Sequence, residues 1–274
     1  MLSFEYESPS GAVIGLDGPS TFIGEAHEMR GREWDCTLGS RSLASAVRSA
    51  RTVSVTAKFT DLSEADALCE AADYDVHAGT NGVIRCNGWE QRAVITAQTP
   101  SLIRANYVEA DMKIALLDGV WRRPETFSFN PTADGGGDYL DLPYDLPHDL
   151  AEPPSPSYIE VGGLVPLLAK IIVYGPANSP YVKIAGNTYE VKCDVPDGGY
   201  LVIDPMPEPR RVYVVDSQGN VSDVIADAVR GAGSGGGSYI FERVPPGFHE
   251  VRWPRSFGFD VIVHRERGEV PWMR

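Results

Sequence analysis

The sequence predicts a mainly β protein of two domains, and three observations agree on this. Alternating runs of strand length recur along the chain, one segment has helical spacing, and prolines are concentrated in one stretch. The 274 residues also exceed the ~250 at which a single core usually stops growing. We therefore predict an N-terminal β domain with one short helix over 1–133, a Gly/Pro/Asp-rich linker over 134–157 and a C-terminal antiparallel β-sandwich over 158–274.

The clearest strand of the first domain is "RTVSVTAKF" at 51–59. It places Val53, Val55, Ala57 and Phe59 on one face and polar residues on the other. This period of two is typical of a half-buried strand.

A helix is predicted directly after this strand, within "DLSEADALCEAADYDV". Ser63 is the expected N-cap, and Ala65, Leu68, Cys69 and Ala72 follow at helical spacing. We expect a short helix of about ten residues.

Three more strands complete the first domain. The Asn-Gly dipeptide in "CNGW" favours a tight hairpin turn between "GVIRC" and "EQRAVITAQ". The run "NYVEADMKIALLDGVW" then alternates as a further strand.

Seven prolines exclude a continuous helix or a central strand in the segment that follows. They are Pro124, Pro131, Pro143, Pro147, Pro153, Pro154 and Pro156. The same segment carries "GGGDYLDLPYDLPHDL" at 135–150, where Asp138, Asp141, Asp145 and Asp149 surround His148. The spacing does not fit a calcium loop, and a proline-stepped segment is a poor scaffold for a glycosidase carboxylate pair. We favour a solvated hinge, with adventitious calcium and catalysis as the alternatives.

The second domain reads as about eight strands bounded by turn residues, which favours a sandwich. The runs are "LAKIIVYG", "YVKIAG", "NTYEVKCDVP", "GGYLVIDP", "RRVYVVDSQGN", "YIFERVPPG", "HEVRWP" and "GFDVIVHRE". Residues 221–228 have the spacing of a short helix, and the glycine-rich 231–238 is predicted to be a flexible surface loop.

The charge argues against a nucleic-acid-binding surface, because the chain carries a formal net charge of −14. Residues 1–150 hold 12 basic and 23 acidic side chains, a net charge of −11, whereas residues 151–274 have a net charge of −3. No window approaches the ~18 apolar residues of a membrane span. The first residues lack the pattern of a secretory signal, so we expect synthesis in a cytoplasm.

No residue is assigned to catalysis, cofactor binding or metal binding. Cys36, Cys69, Cys86 and Cys193 are widely spaced and are predicted to be buried free thiols. Neither a nucleophile elbow nor a zinc-protease motif is present. In "PPGFHEVRW", we expect Phe248, Val251 and Trp253 to pack in the sandwich, with Trp253 as a sugar-stacking platform as the alternative.

The order of these segments resembles the distal tail proteins of long-tailed phages (siphophages). The resemblance covers nearly the whole chain. Its most telling pieces are "DGVWRRPETFSF", "GGYLVIDPMPEPRRVYVVDSQGN" and "VPPGFHEVRW". It implies a structural virion protein and no enzyme or cofactor. The N-terminal domain would resemble a tail-tube ring domain, and the C-terminal domain a galectin-like β-sandwich.

The resemblance also implies partners and a location. Such proteins form a hexameric ring that joins the major tail tube protein above to the tail-associated hub or lysin protein below. Receptor-binding proteins or a glycan can attach through the outer domain. The protein is then expected at the virion tail tip, after synthesis in the cytoplasm of the host bacterium.

Two further hypotheses concern sugars and DNA. The stretch "GPANSPYVK" lacks the His and Arg of sugar-binding galectins, so no sugar-contact residue is carried over. Some of the acids around Glu25, Glu28, Glu33 and Asp35, in a loop between strands, are expected to face the channel of the ring. A wall of carboxylates would repel passing DNA instead of binding it.

Two other functions compete with the ring component. One is a free carbohydrate-binding protein with a galectin-like module that acts in host attachment. The other is a hydrolase that uses Asp141 and Asp145 of the hinge.

Overall fold

The structure, a computed structural model, describes residues 3–24, 26–131, 156–207 and 209–270. It divides the chain into two compact units: unit 1 comprises Met1–Arg123 and Glu266–Arg274, and unit 2 comprises Pro124–Arg265. Both boundaries between the units fall inside strands, one at Trp121–Phe129 and one at Phe259–Arg267. The second of these strands begins in unit 2 and ends in unit 1. That return was not predicted. The hinge aspartates and most of the predicted linker lie outside the described residues, and the predicted domain boundaries stay a prediction.

Strands dominate unit 1, as predicted. They are β1 (Phe4–Glu7), β2 (Val13–Gly15), β3 (Thr21–Ile23), β4 (Asp35–Leu38), β5 (Leu43–Val47), β6 (Arg51–Phe59), β7 (Gly82–Cys86), β8 (Trp89–Arg104), β9 (Tyr107–Leu116) and β10 (Trp121–Phe129), which continues into unit 2. The antiparallel order β2-β1-β7-β8-β9-β6-β3 follows from their pairing. The strand predicted at 51–59 is β6, and its four predicted apolar residues are buried.

The predicted hairpin turn is also confirmed. Asn87 and Gly88 have φ angles of 50° and 76°, and they join β7 to β8. Positive φ at both central residues is the requirement of the tight turn that Asn-Gly satisfies.

The helix of unit 1, α1, runs over Leu62–Ala78 and is longer than predicted, at 17 residues. The N-cap is Asp61, whose carboxylate accepts a hydrogen bond from the Ser63 backbone N–H, so the assignment of Ser63 as the cap was wrong. The helix extends beyond the predicted ten residues because Asp75, on its last turns, is buried and accepts hydrogen bonds.

Asp75 ties α1 to the first strand and the residue after it. Its carboxylate accepts hydrogen bonds from the hydroxyls of Tyr6 and Ser8, the latter at 2.8 Å. All three side chains are buried. Burial and the hydrogen bond to Asp75 raise the pKa of Tyr6 well above its usual value, so the phenol remains the donor.

Unit 2 is a two-layer β structure. Its strands are β11 (Ser157–Val161), β12 (Ala169–Tyr174), β13 (Ala177–Asn178), β14 (Tyr181–Ile184), β15 (Asn187–Glu190), β16 (Asp194–Val195), β17 (Tyr200–Asp204), β18 (Arg211–Val215), β19 (Val221–Asp223), β20 (Gly247–Arg252) and β21 (Phe259–Arg267), the end of which lies in unit 1. One sheet has the order β19-β18-β17-β12-β21 and the other β11-β20-β14-β15. Apolar residues of both sheets form one buried cluster, as expected of a sandwich.

Two segments of unit 2 differ from prediction. Residues 221–228 form the edge strand β19 and a 3-10 helix at Ile225–Asp227 instead of one helix, because β19 pairs with β18. The predicted strand at 239–247 is instead a run of turns over 239–246, with a single bridge from Val244 to Leu167, and Gly247 begins β20.

Candidate functional site

The most exposed structured element of unit 1 is a two-stranded hairpin, β4 with β5, which we call the arm (residues 35–47). These strands form a sheet of their own. Leu38, Leu43 and Val47 are 76%, 58% and 58% exposed. An isolated hairpin is marginally stable in water, and unprotected edges pair readily with another chain. The arm therefore has the properties of an assembly element.

Close contacts are present at the base of the arm. Gly119 has a φ of 64°, and a Cβ there would lie 2.8 Å from the Ser49 carbonyl oxygen, just after the arm. Only glycine fits this close approach without strain. The Arg48 guanidinium stacks 4.2 Å over the Trp34 ring, so cation-π contact joins the two ends of the arm.

Asp118, next to this base, is held by two arginines. Its carboxylate accepts hydrogen bonds from the Arg92 backbone N–H and Nε, both at 2.9 Å, and pairs with Arg122 at 3.2 Å. Burial raises the pKa of Asp118, but the hydrogen bonds from Arg92 and the charges of both arginines outweigh it and hold the pKa below its usual value.

Replacing Asp118 with asparagine is expected to lower the free energy of unfolding by about 2 kcal/mol at pH 7, because the hydrogen bonds from Arg92 lose their charged acceptor while Arg122 keeps its ion pair with Glu266. A depressed folded pKa gives stability above the unfolded pKa of ~3.9, and this stability is lost as the pH falls through the folded pKa. The difference from wild type should therefore shrink at low pH in urea titrations. The control is Asp111→Asn at an exposed site. An equal difference at both pH values would contradict the assigned ion pairs.

One edge of β6 is open beside the arm's base. On one edge, β9 pairs with the whole of β6. On the other edge, β3 pairs only with residues 57–59 of β6, so no described strand covers that edge over 51–56. On this edge, the Glu28 carboxylate accepts a hydrogen bond from the Ser54 backbone N–H at 2.5 Å. An open pocket of about 380 Å³ lies along this edge, lined by Gly24, Ala26, His27, Glu28, Ser54, Val55 and Thr56.

The acids predicted in one loop are placed in different elements. Glu28 lies in a 3-10 helix at His27–Arg30, and Asp35 is the first residue of β4. The prediction of one loop between strands was therefore wrong, because a 3-10 helix and the first strand of the arm form within this segment. Glu33 and Asp35 are exposed and line a small pocket with Arg51, and Glu25 lies outside the described residues.

The cysteines are free, but only Cys86 is fully buried, and Cys36 on the arm is exposed, so that prediction was wrong in part. Burial raises the pKa of Cys86 to about 12 and that of Cys193 to about 11, which disfavours their thiolates. In the described part of the chain, no group of three or more His, Cys, Asp or Glu residues could hold a metal ion. No helix there is long and apolar enough to cross a membrane.

The late tryptophan of unit 2 packs in the core, as predicted. Trp253 is 9% exposed, its Nε1 donates to the Phe257 carbonyl oxygen at 3.1 Å, and its ring meets Phe129 and Phe259 edge to face. The buried ring of Trp253 is therefore not available to stack on a sugar. Phe248 differs from prediction: it is 67% exposed and stacks on Tyr158 at 4.6 Å, because its position in β20 faces outward.

No protein-family model matches the sequence, and no curated protein matches it. Several solved structures share its fold. A chain of the phage P2 baseplate in its activated conformation with calcium has a TM-score of 0.64 at 8% identity, covering 98% of this chain and 100% of that chain. The same baseplate with strontium gives 0.64 at 7% identity with the same coverage.

The third structure is the distal tail protein (Dit, gp 19.1) of phage SPP1, described as a paradigm of the hub adsorption apparatus in phages that infect Gram-positive bacteria. It has a TM-score of 0.55 at 10% identity and covers 97% of this chain and 99% of that chain. These matches span both units. The chain has the mainly β, Dit-like fold of phage baseplate and tail-tip proteins, as the sequence resemblance predicted.

Proposed function

We propose that this chain is a distal tail protein, a structural component of the virion without enzymatic activity. In this role it forms a hexameric ring that joins the phage tail tube to the tail-tip or baseplate hub. The observation that carries the proposal is the fold similarity over 97–98% of the chain to baseplate and Dit proteins. Because these neighbours are at most 10% identical, the function needs support from the surfaces of this chain as well.

Unit 1 offers two different surfaces suited to a closed ring. Cyclic assembly requires each subunit to present two unlike faces to its neighbours. The arm is one candidate, because it exposes Leu38, Leu43 and Val47 without a core of its own. The open edge of β6 over 51–56 is the other, because none of the strands in the described ranges pairs with it, although Glu28 binds the Ser54 backbone N–H there. If the arm of one subunit contacts this edge of the next subunit, the exposed side chains of the arm are covered and the edge gains a strand partner.

The charge of the chain suits passage of DNA through such a ring. Residues 1–150 carry a net charge of −11, and Glu33 and Asp35 are exposed at the base of the arm. If these acids line the channel, they repel phosphates. The proposal places the major tail tube protein above the ring and the hub or lysin protein below it, at the virion tail tip. Unit 2, as a galectin-like module, would then be peripheral and available to receptor-binding proteins.

Electron microscopy of the purified full chain tests the symmetry of the assembly. We expect closed particles with six-fold symmetry at high protein concentration. Class averages that show open filaments or closed dimers would contradict the ring, because a filament does not close on itself and a two-fold dimer pairs the same face of both subunits.

A further inference from the structure

A pocket in unit 2 has no role in the proposed ring. It has a volume of about 360 Å³ and lies between the glycine-rich segment and residues 239–243. Of the described residues, its lining consists of Arg210, Gly233, Ser234, Tyr239, Phe241, Glu242 and Arg243. The presence of two arginines in one pocket contrasts with the formal net charge of the whole chain, which is −14.

The glycine-rich wall of this pocket is anchored. The Glu242 carboxylate accepts a hydrogen bond from the Gly235 backbone N–H at 2.6 Å and from the Ser234 hydroxyl at 3.3 Å. The Thr188 backbone N–H donates to the Gly237 carbonyl oxygen at 2.9 Å. The segment predicted to be a flexible loop therefore has a defined path, and its wall already binds a carboxylate of the chain itself.

Arg210 is oriented toward the pocket by two aromatic residues. Its guanidinium lies 5.4 Å from the centre of the Phe241 ring, and its Nη1 donates to the Tyr239 hydroxyl at 3.2 Å. The Tyr239 contact uses one of the five N–H donors of the group. A planar guanidinium held in this way is suited to bidentate binding of a carboxylate or phosphate.

The other lining groups favour a ligand larger than a simple anion. Ser234 and Tyr239 supply hydroxyls, and Glu242 supplies acceptor oxygens, around a space that holds more than a phosphate ion. Hydroxyl groups and carboxylate oxygens beside an aromatic wall are suited to bind the hydroxyls of a sugar. We propose that this pocket binds an acidic saccharide, with the carboxylate or phosphate on Arg210 and the sugar hydroxyls on Ser234, Tyr239 and Glu242.

The test is a titration of the isotope-labelled full chain, followed by amide NMR shifts, with four probes. The probes are glucose 1-phosphate, glucuronate, neutral glucose and inorganic phosphate. Saturable binding of either acidic sugar, with glucose and inorganic phosphate at least about tenfold weaker, supports the proposal. Which acidic sugar binds better identifies the anionic group. The absence of saturable binding by both acidic sugars would overturn the proposal, and equal binding of inorganic phosphate would overturn its saccharide part.

Variants locate the binding. Arg210→Ala should weaken binding of the acidic sugar at least about tenfold. Arg210→Lys should only partly restore this binding, because lysine keeps the positive charge but lacks the planar guanidinium with its paired donors. The matched control is Arg211→Ala, an exposed neighbour at the start of β18 that does not line the pocket, with an expected change within about twofold. Unchanged binding by Arg210→Ala would overturn the assignment. Binding requires no ring, so this result and the assembly state are independent.

Discussion

Replacing Leu38 and Leu43 with aspartate is expected to abolish ring assembly while the subunit stays folded. The two leucines are a cross-strand pair at the tip of the arm and are 76% and 58% exposed. Nothing in the core depends on them. If the neighbouring subunit covers them, two buried carboxylates should weaken association by roughly 100-fold or more. Sedimentation velocity of wild type and variant at equal concentrations measures the shift from ring to monomer.

A matched control separates the arm from a general effect of charge. Leu164 and Val165 in unit 2 are 97% and 55% exposed, and the double aspartate variant there adds the same charge. This control should assemble like wild type. Assembly by the arm variant, or loss of assembly by both variants, would refute the role given to the arm.

Replacing Asp75 with alanine is expected to cost about 4 kcal/mol in the free energy of unfolding, because two buried hydroxyls lose their acceptor. The donors are Tyr6 and Ser8, which are 0% and 1% exposed. The same change releases the last turns of α1 from the first strand. Urea titration followed by circular dichroism at neutral pH measures the loss.

The control for this prediction is Asp73→Ala, an exposed aspartate on the same helix, which should change stability by at most about 0.5 kcal/mol. Asp75→Asn should lie between the two, since the amide keeps one acceptor oxygen. A loss of less than about 1 kcal/mol for Asp75→Ala would mean that the hydroxyls find other partners.

The elements that could be predicted from sequence are those whose pattern is local. β6 has strict alternation, and the turn between β7 and β8 has the Asn-Gly dipeptide that its backbone requires. The extent of α1 could not be predicted in this way. Its final turns depend on the hydroxyl of Tyr6, which is 69 residues away in the sequence from Asp75.

The candidate surfaces were harder to predict, for two different physical reasons. The arm has a turn at Gly39 between short runs, but it lacks the buried face that marks a strand, since its proposed partner belongs to another subunit. The pocket around Arg210 depends on Tyr239, which is 29 residues further along the chain, and on the path of a glycine-rich segment. Such long-range contacts leave no period in the sequence.

Light scattering of the full chain over a wide range of protein concentration measures the number of subunits in the assembly. A hexameric ring requires the molar mass to rise to a plateau at six times the subunit mass of 29.8 kDa, and the arm variant is expected to remain at the subunit mass. A plateau at two subunits, or a mass equal to one subunit at every concentration, would contradict the proposed ring.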